Sequence, residues 1–195
     1  MNFFYYPCAG YDGSVVKLMA SKMNHFLFVD QNYDQLVDAL NERQGHPFLG
    51  YDHPQFVPKE NLSLLADLIG FKKEIEFFRS ANRPDSHGLP RFTVTFVQGD
   101  GITVLNELIE KRLWPSGVAC IRPGISFGGN RSTYADELAH ALSHFPTPPQ
   151  FYIRDGQDYG YLLARWEQEN YRITTEFVAK TTYLQACRLY VRSRV

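Results

Sequence analysis

The stretch "YYPCAGYDGSVVKLM" (residues 5–19) decides the fold. An aromatic run stops at Pro7, which brings no backbone N–H to a ladder. Gly10 and Gly13 follow, three apart, and then an apolar stretch in which Ser14 is placed to cap a helix. "HFLFVD" (25–30) comes next, a short apolar run closed by an acid. Together they read as strand, glycine turn, helix, strand. "YDQLVDALNER" (33–43) puts Leu36, Val37 and Leu40 on one helical face. The first 43 residues therefore predict two strands alternating with two helices, the pattern of a parallel sheet with crossover helices.

Working outward, the pattern breaks and then resumes. "RQGHPFLGYDHPQFVPKEN" (43–61) holds three prolines and two glycines and reads as loop. A helix is expected over 61–71, closed by Gly70, and a strand over 72–80, so 44–90 reads as an insertion. "RFTVTFV" (91–97) alternates as a strand does. Helices at 101–112 and 132–145 then alternate with strands at 117–123 and 150–155. "NYRITTEFVAKTTY" (170–183) and "CRLYVRS" (187–193) predict two closing antiparallel strands. The expectation is one α/β domain over 1–195 with a three-layer Rossmann-like fold, mainly parallel with antiparallel C-terminal strands.

Composition sets the class. The chain of 195 residues is 44% hydrophobic and 15% aromatic, with a net charge of −1. That is core-forming material, and it offers no global basic surface to nucleic acid. Arg188, Arg192 and Arg194 cluster in the tail, either as a local patch or as solvated arginines of an edge strand. Phe26, Phe28, Phe92 and Phe96 sit at alternate strand positions, so packing accounts for them before base stacking does. Cys8, Cys120 and Cys187 are odd in number and form no C-x-x-C pair, which fits a reducing cytoplasm. No apolar run reaches the roughly 20 residues of a bilayer span, and no secretory signal is visible. A cytoplasmic protein that acts on a small molecule, away from membranes, is expected.

In an open parallel sheet, ligands bind beyond the carboxyl ends of the strands. The loops there read "PCAGYDG", "VDQNYD", "QGDG", "RPGISFGGNR" and "RDGQDYG". Their glycines and acids suit a ligand, and they equally suit ordinary turns and helix caps. Gly10 and Gly13 would let backbone approach a ligand closely, and the helix opening at Ser14 would aim N–H groups at an anion. Asp30, 17 residues past Gly13, can accept hydrogen bonds from ribose hydroxyls.

With "QGDG" (98–101) between a strand and an amphipathic helix, the chain resembles the class I S-adenosylmethionine-dependent methyltransferases over residues 1–43 and 91–195. The resemblance implies that the loop of Cys8, Gly10, Asp12 and Gly13 faces the methionine and ribose part of the cofactor. It implies that Asp30 binds the ribose and that Asp100 meets the adenine amino group. The expected function is binding of an adenosine-containing small molecule, S-adenosylmethionine by preference, with methyl transfer as the reaction. The chain also departs from the pattern: Ala9 stands where the first glycine belongs, and "CIRPGISFGGNR" stands where a catalytic motif would end the fourth strand. Those departures support the alternative of a catalytically inactive methyltransferase-like scaffold serving as a binding or interaction module.

Three further arrangements compete for attention. Cys8, at a strand-to-helix turn, is placed as a nucleophile would be, provided a histidine reaches it; otherwise it is a small buried hydrophobe. Glu137, His140 and His144 share a helical face, but Leu138, Ala141 and Leu142 form the apolar face, so the histidines are expected in solvent and no metal is assigned. Gly128, Gly129 and Arg131 make either an anion loop or a surface turn.

Overall fold

The computed structural model describes residues 1–9, 14–31, 54–56, 64–68, 73–77, 92–121, 131–155, 160–171 and 187–192. The chain opens with β1 (Phe4–Pro7), α1 (Ser14–Met19) and β2 (His25–Asp30). β3 (Pro54–Phe56), α2 (Leu64–Leu68) and β4 (Lys73–Phe77) follow, and then β5 (Phe92–Gln98) and α3 (Gly101–Glu110). The last part holds β6 (Gly117–Cys120), α4 (Arg131–Ser143), β7 (Phe151–Asp155), α5 (Tyr161–Asn170) and β8 (Cys187–Val191).

The eight described strands form one sheet in the order β3-β4-β5-β2-β1-β6-β7-β8. β5, β2, β1, β6 and β7 are mutually parallel. The chain steps from β1 to β2 to β5 on one side, then crosses back to β6 and β7 on the other. Consecutive connections therefore diverge between β1 and β6, and their carboxyl ends are where such sheets hold ligands. Both edges are antiparallel: β8 lies against β7 at one, and β4 and β3 extend from β5 at the other.

The alternation of side chains explains the layers. Phe4, Tyr6, Phe26 and Phe28 point to one face, where they pack with Val15, Val16 and Met19 of α1. Phe3, Tyr5, Leu27 and Val29 point to the other, under Leu105 and Leu108 of α3, Leu138 and Leu142 of α4 and Leu163 of α5. Helices cover both faces, which is why β1 is buried at all four positions. The strand phenylalanines pack as expected: Phe26 meets Phe28 and Phe92 edge-on, and Phe28 meets Phe96.

The α/β class and the antiparallel C-terminal strand are as the sequence predicts. The stretch read as an insertion contributes β3 and β4 to the same sheet, and β3 lies within what reads as loop. α5 was not expected; Leu163, Trp166 and Glu167 are its buried positions, at helical spacing. The helix predicted at 33–43 lies outside the described residues, as do 172–183 of the first predicted closing strand. No described helix is long and apolar enough to cross a membrane.

Candidate functional site

The carboxyl ends of β1, β2 and β5 are tied together by backbone. Pro7 ends β1, and Cys8 then takes a left-handed conformation, φ 54°. Such a conformation costs a non-glycine residue about 1–2 kcal/mol. It turns the chain so that the Ala9 N–H donates to the Val29 carbonyl at 3.2 Å. Gly99 N–H donates to the Asp30 carbonyl at 3.1 Å, and Gln98 Nε2 donates to the Gln31 carbonyl at 3.1 Å. The turns after these three strands thus hold one another in place.

Asp30 closes β2 and is 5% exposed, paired in register with Gln98. By alternation it leaves the strand on the face of Phe26 and Phe28, the α1 face. Its position is the one the sequence indicates for a ribose-binding acid. Gly10, Asp12 and Gly13 lie outside the described residues, as does the glycine loop at 122–130. α1 has only six residues, under two turns at about 3.6 residues per turn, so the expected anion hold by its amides finds little helix dipole behind it.

Asp100 has a structural duty. It is the N-cap of α3, and its Oδ1 accepts from Thr103 N–H at 2.8 Å and from the Thr103 hydroxyl at 3.1 Å. Gly101 opens the helix under close cover. A Cβ there would run into Pro7 and the Tyr134 hydroxyl, so a residue without one is required. Tyr5 donates its hydroxyl to the Gly101 carbonyl.

Tyr134, on α4, was missed by the sequence reading. Its hydroxyl oxygen is buried over Gly101 and makes no hydrogen bond. The Cys8 thiol lies beside it, with Tyr5 and Asp100 as further polar neighbours. Burial foremost, and then the electrostatic influence of Cys8, push its phenol far above the usual range. Burial likewise raises Tyr5. Both tyrosines are neutral O–H groups at any working pH. Among the described residues, Tyr5 and Tyr134 are titratable groups electrostatically coupled to Cys8.

A second polar cluster lies under α5. Glu167 accepts from the Tyr152 hydroxyl at 2.8 Å through Oε1 and pairs with Arg154 Nη1 at 3.3 Å through Oε2. Tyr152, Trp166, Tyr171 and Tyr190 pack around it. Burial raises the Glu167 carboxyl above its ordinary value, opposed by the Tyr152 hydrogen bond, Arg154 and Arg188. Cys120 is buried beside this cluster, and burial raises its thiol. On α4, His140 and His144 are exposed as expected, His144 Nδ1 bonding the His140 carbonyl at 2.9 Å. Among the described residues no group of three metal-ligating side chains comes together. Arg188 is exposed on edge strand β8.

No protein-family model, no curated protein and no solved structure matches the chain.

Proposed function

We propose that this protein binds an adenosine-containing small molecule across the carboxyl ends of β1, β2 and β5, with S-adenosylmethionine the preferred ligand and methyl transfer the reaction class. The observation that carries the reading is Asp30, a nearly buried carboxylate closing β2 beside the left-handed turn after β1. A carboxylate at that place accepts both hydroxyls of a ribose. The strand order supports it: the five parallel strands, numbered along the chain, run 3-2-1-4-5, the doubly-wound order 3-2-1-4-5-6 short of its last strand. Cys8, Gly10, Asp12 and Gly13 would border the ligand on the β1 side and Asp100 on the β5 side. Methyl transfer in such a site is an in-line displacement, and holding donor and acceptor in line supplies most of the acceleration.

A second reading is favoured by one observation. Pro7 and Tyr134 crowd Gly101 so closely that no Cβ fits there. A scaffold that has lost catalysis, and serves as an interaction module, would fill this space in the same manner.

A thermal shift separates the two. S-adenosylmethionine and S-adenosylhomocysteine are compared with ATP and NAD, on wild type and on Asp30→Ala. Ligand at 100 times its Kd stabilises the fold by about 2.7 kcal/mol, a shift of several degrees. A shift with the methyl donor that Asp30→Ala abolishes is the expected result. No shift with any nucleotide removes the cofactor site and leaves the scaffold reading.

A further inference from the structure

We propose that Gln98 is a positioning residue of the nucleoside site, its carboxamide holding the backbone that follows Asp30 and so setting where the Asp30 carboxylate meets the ribose. The inference rests on the nucleoside-binding reading and adds a second residue to its ribose end.

Asp30 and Gln98 close neighbouring parallel strands and stand opposite one another in register. Asp30 is nearly buried and Gln98 is exposed. By alternation both leave the sheet on the face of Phe28 and Phe96, the α1 face. The ladder between the two strands ends here. Gly99 N–H donates to the Asp30 carbonyl at 3.1 Å, and Asp100 then caps α3. As the β5 chain turns into that helix, the next carbonyl of the β2 chain, that of Gln31, takes its hydrogen bond from a side chain: Gln98 Nε2 donates to it at 3.1 Å. The glutamine thus carries the hold of β5 on β2 one residue past the ladder. Asp30 is fixed at its own carbonyl and at the carbonyl after it. A carboxylate that receives two ribose hydroxyls needs such a fixed main chain, because a shift of about 1 Å carries both bonds out of line.

The residue type fits the duty. A carboxamide N–H donates without carrying charge. Lysine or arginine could hold the Gln31 carbonyl as well, but a cation beside Asp30 would pair with its carboxylate and compete with the ribose. Glutamate has no donor to offer and would set a second negative charge beside the first. Glutamine reaches the carbonyl and adds no charge next to Asp30.

The test is a double-mutant cycle read by calorimetry, with S-adenosylhomocysteine as the probe, on wild type, Gln98→Met, Asp30→Asn and the double variant. The ligand-free melting temperature of each is recorded, so that binding is compared between folded proteins. Gln98→Met keeps the length of the side chain and loses the donor. It is expected to weaken the probe about fivefold, the worth of one net hydrogen bond. Beside Asp30→Asn, which has one acceptor fewer to position, the same substitution is expected to cost less than about twofold. Adenosine and 2′-deoxyadenosine supply a second readout: Gln98→Met should narrow the preference for adenosine, since that preference depends on where the carboxylate stands. Gln98→Leu has to give the same results, so that the lost donor and not a particular shape is what is read. If wild type binds but Gln98→Met costs nothing, costs the same beside Asp30→Asn, or leaves the preference for adenosine unchanged, the nucleoside reading stands and Gln98 is no part of the site. If wild type binds none of the probes, the nucleoside reading falls and this inference with it.

Discussion

The Tyr5 hydroxyl donates to the Gly101 carbonyl, 96 positions away in the chain. This bond fastens the middle of the central strand to the first turn of α3. Tyr5 is fully buried, and the helix start beside it carries Asp100 and lies under Tyr134, so the bond fixes the floor of the candidate site. Tyr5→Phe keeps the ring in the core and removes the bond alone. It should cost about 0.5–1.5 kcal/mol in urea unfolding, because the Gly101 carbonyl also faces the ordinary i+4 helix partner. A loss beyond about 3 kcal/mol would mean that the ring itself had moved.

Gly101 is the tightest point of that floor. Alanine is the better helix former by about 1 kcal/mol, so propensity alone predicts that Gly101→Ala stabilises. Sterics predict the reverse, because the new Cβ meets Pro7 and the Tyr134 hydroxyl. Overpacking of this kind costs about 1–3 kcal/mol and should win. Tyr134→Phe removes the clashing oxygen and should recover part of the loss. A double-mutant cycle measures the coupling directly, and strict additivity would show that Tyr134 does not press on Gly101.

What was readable in the sequence was local, and what was missed was not. The aromatic run ending at Pro7 and the alternating phenylalanines of β2 and β5 announced buried strands because each pattern completes itself within six or seven residues. Asp30 was legible as the last residue of such a run. Asp100 was legible as an acid before a helix, although its capping bond to Thr103 is a nearer duty than any ligand. α5 was overlooked because its inward face includes Glu167, an acid that reads as exposed until Tyr152 and Arg154, from another element, are seen to neutralise it. β3 was hidden among prolines and joins the sheet only through β4. Tyr134 carries no signal at all. What marks it is the juxtaposition with Cys8 and Gly101, and no periodicity encodes a contact between a helix and a turn so far apart in the chain.

The two duties of Asp100 can be pulled apart. Asp100→Ala removes the cap of α3 and should destabilise by about 1 kcal/mol. Asp100→Ser keeps an oxygen able to accept from Thr103 and should restore most of that stability. If Asp100 also meets the ligand, as the resemblance implies, Asp100→Ser should still lose nucleoside affinity, seen as a smaller thermal shift at matched melting temperature. A shift equal to that of wild type would leave Asp100 a helix cap and nothing more.

Glu167 offers a test of how buried charge is tolerated here. Its folded-state pKa is raised, chiefly by burial, so the fold prefers the protonated carboxyl more than the unfolded chain does. The stability it contributes is therefore fully present below the unfolded-state value, about pH 4, and declines as pH rises through the higher folded value. Glu167→Gln cannot titrate. The stability of wild type minus that of Glu167→Gln should fall as pH rises from about pH 4 through the higher folded value and then level off, with other carboxylates cancelling in the difference. Arg154→Met should behave differently. It strips the charge partner from a carboxylate whose side chain is 9% exposed, and at neutral pH this should cost about 3–5 kcal/mol, easing as acid protonates Glu167. Melting curves of the three proteins from pH 4 to pH 8 decide the matter. A difference that grows with pH would mean that attraction to Arg154 outweighs the burial of Glu167, the opposite ranking of the forces at this site.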